Sequence, residues 1–373
     1  MTSRSEQGRR EVSLRASHPT VIASLTERGV PLSTAVGIMD EVRDRAARHY
    51  RDQEAVPAAW TRDTAGEIAG LGAQTTAERA DGPLALLVTC CHRELPEAAR
   101  VAAVLRVVAG LSTAETAAAF GVPDSIMAAR IERVLTRLDR AVAAGQVPDD
   151  PDDRLACVLD AVSLVFDEGH LGRCVDLDLE AEAITLGRLV LDACPDEPEA
   201  QALLALMLLV HARRDARRAD DGTLVPLARQ DRGRWHATEM EEGLFLTRRS
   251  RRAERPDPHQ LQARIQAHYA EAATIDDVDW RDVLALHDQL LAIAPSDTTA
   301  LNRAVALAEV GDPAAALRYV ESLDLDGHVF HAVRADLLAR LGRSEEAERA
   351  WTAALARAGR EAERARVREQ IER

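Results

Sequence analysis

Apolar residues recur every three or four positions along most of this chain, the spacing that places them on one face of an α-helix. Met127 and Ile131, for example, lie four positions apart and so share one face of a helix. Alanine and leucine dominate the apolar positions, and the β-branched runs typical of strands are few. The pattern predicts an all-α fold.

Residues 111–138, LSTAETAAAFGVPDSIMAARIERVLTRL, contain two such helical segments joined by a tight turn. Gly121 stands where the turn requires a residue that tolerates positive φ. Ala117, four residues earlier, is small enough for the two helices to cross closely. Pro123 opens the second segment, where the N–H that it lacks is not needed. These positions together predict a helix-turn-helix.

The second helix of this motif carries three arginines at the spacing i, i+3, i+7, which places them on one side. Such a stripe can follow phosphates or reach guanine edges. An ordinary α-hairpin with a solvated arginine face is the alternative, but the small residues in register at the turn favour DNA binding. The predicted DNA-binding residues are Thr113, Ser125, Ala128, Ala129, Arg130, Arg133 and Arg137.

Shifts in composition along the chain predict its domain organisation. The N-terminus is polar, and two later polar stretches with one glycine each interrupt the helical pattern, the second also containing two prolines and four aspartates. The predicted sections are a disordered N-terminus (1–17), a helical segment (18–72), a linker (73–82), the helix-turn-helix domain (83–142), a second linker (143–153) and a helical extension (154–373).

The extension contains a weak internal repeat. Residues 194–209 parallel residues 294–309, each with a proline and polar residues ahead of a long apolar-periodic helix. Residues 332–359 resemble a tetratricopeptide repeat, with Ala347, Ala350 and Trp351 at packing positions. Such arrays offer a concave surface to a peptide or protein. Outside 279–359, a plain helical bundle remains an equal alternative.

The formal net charge of −15 argues against a protein that binds nucleic acid non-specifically over its whole surface. Residues 83–140 depart from this balance, with one more arginine than acidic residues. No stretch approaches about 18 uninterrupted apolar residues, so no membrane span is predicted. The polar N-terminus is not a secretory signal. Five cysteines in 373 residues do not form a disulfide framework, which predicts a reducing, cytoplasmic location.

Residues 84–138 resemble region 4 of extracytoplasmic-function (ECF) RNA polymerase sigma factors, in the subgroup with a long helical C-terminal extension. The extension also resembles that subgroup, in blocks such as DRLACVLDAVSLVFDEGH (153–170) and RQDRGRWHATEMEEGL (229–244). Residues 20–72 can be aligned with region 2, where VPAAW (56–60) is a fair match.

The resemblance implies that region 4 reads a −35 promoter element and docks on the polymerase, and that region 2 reads and opens the −10 element. The implied partners are promoter DNA and core RNA polymerase. The repeat architecture of the C-terminal domain separately predicts a protein partner there. Region 2 is degenerate: TRDTAGEIAGLG (61–72) has one arginine, two acidic residues and no aromatic residue. Opening DNA requires cations for the phosphates and aromatic rings for unpaired bases.

Two clusters contain side chains of metal or acid–base type. Cys90, Cys91 and His92 are consecutive, but adjacent cysteines do not readily share one tetrahedral ion. The DEGH sequence at 167–170 has no nucleophile or phosphate-binding loop beside it. A buried helix end and a helix terminus, respectively, are the favoured interpretations. We therefore predict no catalytic residue, no metal and no cofactor.

The sequence predicts a cytoplasmic, sigma-like transcription regulator that is not an enzyme. Its helix-turn-helix binds promoter DNA and core polymerase, and its helical extension controls that activity. The alternative is a decayed sigma factor that acts as a protein-interaction scaffold through its repeats, which the alanines at 128 and 129 favour. A small-molecule enzyme or ligand sensor is disfavoured, because no nucleophile–base pair, metal-ligand spacing or phosphate loop is present.

Overall fold

The computed structural model describes residues 2–51, 53, 55–71, 82–92, 95–144, 151–170, 178–219, 223–251, 256–359 and 361–371. Regular structure in these ranges is helical, and the single β-type feature there is an isolated antiparallel bridge between Arg218 and Leu224. The predicted all-α fold is confirmed. Within the same ranges, no helix has both the length and the apolar character needed to cross a membrane.

The chain divides into two compact units, Met1–Pro195 and Asp196–Arg373. Helices of the first unit are α1 (Thr2–Glu27), α2 (Leu32–His49), α3 (Ala58–Ile68), α4 (Gly82–Cys90), α5 (Glu97–Ala103), α6 (Thr113–Phe120), α7 (Asp124–Ala143), α8 (Pro151–His170) and α9 (Leu179–Ala193). A π-helical turn, Val104–Val108, continues α5.

The second unit contains α10 (Pro198–His211), α11 (Arg214–Arg217), α12 (Ala237–Ser250), α13 (Pro258–Glu271), α14 (Trp280–Ile293), α15 (Asp297–Glu309), α16 (Pro313–Glu321), α17 (His328–Arg340), α18 (Ser344–Arg357) and α19 (Glu361–Ile371). Short 3₁₀ turns cover Leu227–Arg229, Arg232–Arg234 and Ile275–Asp277.

The structure places α1 at Thr2–Glu27, over most of the segment (1–17) for which the sequence predicts disorder, and that domain assignment stays a prediction. The polar sequence has little helical amphipathicity of its own. Leu14 and His18 are nevertheless buried, and Arg15 forms ion pairs with carboxylates of two other helices. Tertiary contacts of this kind, rather than local propensity, usually stabilise helices in proteins.

Most of both predicted linkers, residues 73–81 and 145–150, lies outside the described residues. The second linker was predicted to run to residue 153, but α8 begins at Pro151. The first compact unit extends to Pro195 and includes α8 and α9, which the sequence prediction assigns to the start of the extension. Both helices contact α4, and α8 also contacts α5 and α6. The predicted domain limits stay predictions.

A guanidinium lies at the centre of the first unit. Arg106, on the π-helical turn, is only 1% exposed. It donates a hydrogen bond to the carbonyl oxygen of Leu111 (3.0 Å) and forms an ion pair with Asp40 of α2. Arg43, one turn further along α2, donates to the carbonyl oxygen of Gly110. These contacts attach α2 to the segment that leads into α6.

Gly110 has a φ of +68°, and a Cβ atom added there would lie 2.8 Å from Cγ of His18. The His18 ring on α1 is therefore seated directly against this backbone. Burial lowers the pKa of His18 well below its usual value, and the charges of Arg43 and Arg106 lower it further. The ring is neutral at physiological pH, which lets it pack beside two guanidinium groups.

We expect Gly110→Ala to lower the free energy of unfolding by more than Gly29→Ala does. Gly29 also has positive φ (+84°), but an added Cβ would meet nothing within 4 Å there. Both variants carry the backbone penalty of about 1–2 kcal/mol, and only Gly110→Ala adds an overlap with His18, which costs roughly another 1–3 kcal/mol. Urea unfolding of both variants measures the difference; equal losses would contradict the packing role of His18.

In the second unit, α13–α18 pack as successive neighbours, and α15 also contacts α17. Gly311 and Gly342 occupy equivalent turns with positive φ. Ala316 and Ala347, each five residues after its glycine, are both buried in one apolar cluster. The repeat predicted over 279–359 thus corresponds to helical hairpins in which small residues permit close packing.

His287 of α14 is 5% exposed, and burial lowers its pKa to about 4. The neighbouring Arg303 lowers the pKa as well, whereas Asp288 opposes the shift. The folded unit therefore holds a neutral imidazole at a pH where an unfolded chain would bind a proton.

We expect the second unit to lose stability as the pH falls from about 6.5 to about 4. In this range His287 binds a proton in the unfolded chain but stays neutral in the folded one. The contribution of this residue is at most about 3 kcal/mol. His287→Leu should flatten the pH dependence of unfolding relative to the parent chain, as measured by urea titration at pH 7 and pH 5. If the free energy of unfolding changed equally between pH 7 and pH 5 in both chains, His287 would not be the source of the pH dependence.

Candidate nucleic-acid interface

The first helix of the predicted motif begins with a reciprocal cap. The Ser112 hydroxyl accepts the N–H of Glu115 (3.2 Å), and the Glu115 carboxylate accepts the N–H of Ser112 (2.8 Å). This capping box sets the first residue of α6 at Thr113, which is half-buried. The predicted contact residue Thr113 thus lies at the N-terminus of α6.

The turn between α6 and α7 has the predicted geometry. Gly121 is left-handed (φ 61°, ψ 35°), and the N–H of Val122 donates to the carbonyl oxygen of Ala117 (3.1 Å). Ala117 is completely buried, as close crossing of the helices requires. Pro123 is the N-cap rather than the first helical residue, so α7 begins at Asp124.

One side of α7 is apolar and buried. Its members follow the 3.6-residue period and are Met127, Ile131, Val134, Leu135 and Leu138. They pack against α5, α6 and α2. The exposed positions on the opposite side of the helix are consequently available to a ligand.

The opposite side of α7 is an exposed stripe that we call the outward stripe: Ser125, Ala129, Arg133, Thr136 and Arg140. Its spacing keeps these residues over one face for the length of the helix. Thr136 and Arg140 were not among the predicted contacts. Both lie on the side of α7 opposite its buried residues, so their exposure follows once the buried residues are known.

The structure separates the three predicted arginines. Arg130 is half-buried, with its guanidinium 5.4 Å from the centroid of the Phe120 ring. Arg133 is exposed and donates from Nε to the carbonyl oxygen of Ala129 (3.0 Å). Arg137 is exposed and borders a cavity of about 230 Å³ beside His92. Only Arg133 of the three lies on the outward stripe.

The two predicted alanines, Ala128 and Ala129, are exposed, as is Ile126 at the N-terminal end of α7. Exposed small and apolar groups can contact a thymine methyl group. Asp124 and Glu132 are exposed on the same helix and reduce its positive potential. The face can therefore make base contacts, with a modest electrostatic contribution.

Arg15 of α1 connects this motif to α9. It forms ion pairs with Glu115 of α6 and with Glu182 of α9 (3.1 Å to the latter). Burial would raise the pKa of Glu115, but hydrogen bonds from Ser112 and the charge of Arg15 outweigh it and lower that pKa. For Glu182, burial prevails and the pKa is raised.

The two clusters for which a metal or acid–base role was disfavoured, residues 90–92 and 167–170, lie at the ends of α4 and α8. Cys90 and Cys91 are buried at the end of α4, and burial raises the pKa of both thiols, so they are poor metal ligands. His170 is the last residue of α8, and its Nδ1 lies 3.0 Å from Glu180 Oε1. Both clusters occupy helix ends, as the sequence favoured.

A third cluster, Glu199, Asp257 and His259, brings three ligand-type atoms within 4.8 Å of one another. Asp257 already accepts the N–H of Gln260 as the cap of α13, and Glu199 lies in the first turn of α10. Helix N-termini stabilise carboxylates without a cation. Asp257 is thus engaged as a helix cap, and Glu199 lies where a helix N-terminus favours its charge.

Residues 154–251 match a family of unknown function, DUF6596. The chain is also 39% identical over 311 residues to an uncharacterized protein of Rhizobium meliloti (strain 1021), an alignment that covers 79% of this chain and 74% of the relative. The chain belongs to the same family as that protein. The DUF6596 match begins in α8 of the first unit and ends just after α12 of the second.

We expect Arg15→Ala to lower the free energy of unfolding of the first unit by about 2 kcal/mol, because two partly buried carboxylates would lose their shared cation. Arg45→Ala is the matched control, since it removes an exposed i, i+4 pair with Glu41 (2.9 Å) and should cost below about 0.5 kcal/mol. Urea unfolding at pH 7 measures both. A loss for Arg15→Ala no larger than the control would show that this ion pair does not hold α1 in place.

Proposed function

We propose that this chain is a sigma-like transcription regulator that binds promoter DNA of the −35 type and core RNA polymerase through the helix-turn-helix of α6 and α7. The observation that carries the proposal is the outward stripe of α7. It combines two exposed arginines with small side chains on a helix whose other face is buried in a tight-turn motif. No catalytic role is proposed, and the proposed location is the cytoplasm.

The dimensions of the motif support major-groove binding. An α-helix fits this groove, and its N-terminal residues meet base edges while the preceding helix crosses the backbone. Ser125, Ala128 and Ala129 lie at that end, where small side chains permit close approach. Arg133 and Arg140 follow along the exposed face, where guanidinium groups can bind phosphates or guanine.

The region-2-like helices support a regulator that does not open DNA through residues 61–72. Thr61, Thr64 and Ala65 of α3 are buried, and the exposed positions of that helix include Arg62, Asp63 and Glu67. One cation accompanied by two acidic residues attracts phosphates poorly, and residues 61–72 include no aromatic ring for an unpaired base.

We propose that the extension regulates the helix-turn-helix. Two helices within the DUF6596 match, α8 and α9, belong to the first unit, where α8 contacts α6 and Glu182 of α9 binds Arg15. A partner that displaced either helix would therefore act on residues that cap and position α6.

A protein-interaction scaffold is the second candidate. The successive hairpins of α13–α18 favour it, because stacked helical pairs form extended surfaces for peptides. In that case the chain would bind a protein partner without binding polymerase.

Co-migration with core RNA polymerase on gel filtration separates the two candidates. A stable complex at micromolar concentrations supports the sigma-like function. Absence of a complex contradicts it and directs the search to a protein partner of the repeats.

We expect the double variant Arg133→Ala/Arg140→Ala to weaken binding to promoter-length duplex DNA and to reduce the slope of log K against log salt by up to about 2, since each lost phosphate contact removes about 0.9. The control Arg281→Ala/Arg318→Ala removes the same charge from exposed positions of the second unit. Fluorescence anisotropy across a salt series gives both slopes. An identical change in the two double variants would rule out a specific role for α7.

A further inference from the structure

A cavity of about 500 Å³ opens in the first unit beside the turn between α1 and α2. Its walls are the C-terminal part of α1, the start of α2, one side of α4 and the C-terminal part of α7. The lining is mainly apolar and includes the buried side chains of Ala23, Leu32 and Leu86. Apolar cavities of roughly 300–1,000 Å³ are typical of sites that bind small molecules.

Two hydroxyl groups in this lining form hydrogen bonds within their own helices. Thr26 Oγ1 donates to the carbonyl oxygen of Ala23 (2.9 Å), and Thr89 Oγ1 donates to that of Ala85 (2.8 Å). Val142, near the end of α7, also lines the cavity and is 51% exposed. An apolar group that entered the cavity would therefore cover exposed hydrocarbon and leave both hydrogen bonds in place.

The charges that line the cavity are negative. Among the described residues of its lining, Glu27 and Asp139 are acidic and none is basic, although lysine and arginine together account for 47 residues of the chain. Asp139 accepts the N–H groups of Leu32 (2.6 Å) and Ser33 (3.3 Å), so its charge stabilises the N-terminus of α2. Glu27 is exposed at the end of α1, where a ligand can reach its carboxylate.

The helix ends at the cavity do not reverse this sign. The helices α1 and α7 end at Glu27 and Ala143, and C-termini favour cations. The helices α2 and α4 begin at Leu32 and Gly82, and N-termini favour anions. Because the two kinds of helix end oppose each other and Asp139 already caps α2, the Glu27 carboxylate decides which charge the cavity attracts.

An apolar interior beside an accessible carboxylate selects a ligand with a compact hydrocarbon body and one positive charge. A carboxylic or phosphoric acid would be repelled by Glu27, and a neutral hydrocarbon would make no use of it. An ion pair at such a partly exposed place raises affinity by up to about fivefold. Burial of the apolar body therefore supplies most of the affinity, and the charge supplies the specificity.

We propose that this cavity binds a small apolar amine. The hydrocarbon body lies against Ala23, Leu32 and Leu86, and the ammonium group pairs with Glu27. Asp139 is a positioning residue, because it holds the N-terminus of α2 against α7 and so keeps two walls of the cavity together. Binding of the amine requires neither DNA nor polymerase, so the site is separate from the proposed function.

The test is isothermal titration calorimetry of the full chain with three probes that share one ring system. At pH 7, 1-naphthylmethylamine is positive, 1-naphthalenemethanol is neutral and 1-naphthoate is negative. The amine should bind about two- to fivefold more tightly than the alcohol, and naphthoate more weakly than the alcohol. Equal affinities for the three probes, or no binding of the amine, would overturn the proposal.

A variant that fills the cavity tests its location. Ala85→Phe introduces a ring from an exposed position of α4 in the lining and should lower the affinity for the amine at least about tenfold. Ala47→Phe is the matched control, because Ala47 is exposed on α2 and does not line the cavity. Thermal unfolding followed by circular dichroism shows whether both variants fold.

A charge variant tests the specificity without changing the volume of the cavity. Glu27→Gln should reduce the affinity for the amine to that for the alcohol and leave the affinity for the alcohol unchanged. Glu97→Gln, which removes an exposed carboxylate outside the lining, should change neither. Undiminished binding by folded Ala85→Phe, or equal effects of Glu27→Gln and Glu97→Gln, would mean that the amine binds elsewhere on this acidic chain and would overturn the assignment.

Discussion

The contact between Arg106 and Asp40 constrains most of the first unit. A guanidinium that is almost fully removed from water is strongly unfavourable unless an anion and further acceptors surround it. Asp40 and the Leu111 carbonyl supply them, so α2 must lie beside the π-helical turn wherever this core forms. The turn itself is irregular, as helices often are where a buried polar group must be accommodated. Gly110 and His18 then fit against the same short segment.

The segment that contains Gly110 also leads directly into the helix-turn-helix. Ser112 caps α6 two residues after Gly110, and its partner Glu115 also binds Arg15. Because Arg15 pairs simultaneously with Glu182, one guanidinium on α1 links α6 to α9, a helix of the DUF6596 match. Two carboxylates that share one cation are energetically coupled, so a change at either one alters the other. This provides a physical route from the family-specific helices to α6.

The sequence predicted what depends on local rules. Helical periodicity predicted the all-α fold, and the requirement of Gly121 for positive φ located the turn. It could not predict the tertiary contacts of α1, because Arg15 and His18 find partners about a hundred residues away. It also could not predict that Arg130 rests on Phe120, since helical spacing fixes the side of a helix but not the rotamer of a long side chain.

The stacking of the His49 ring on the Trp60 ring, with planes 6° apart, could not be predicted for a related reason: the two residues belong to different helices. The structure brings the rings together from the end of α2 and the start of α3. No fixed spacing along the chain defines such a pair.

The electrostatics of α7 limit what this helix can do alone. The outward stripe supplies two arginines, and the exposed acids Asp124 and Glu132 oppose them. Binding to duplex DNA that rests on so few phosphate contacts is weak at physiological salt, and a net charge of −15 provides no general attraction. In the proposed function, the chain would reach a promoter effectively only when a second contact raised its local concentration there. Core polymerase would supply that contact.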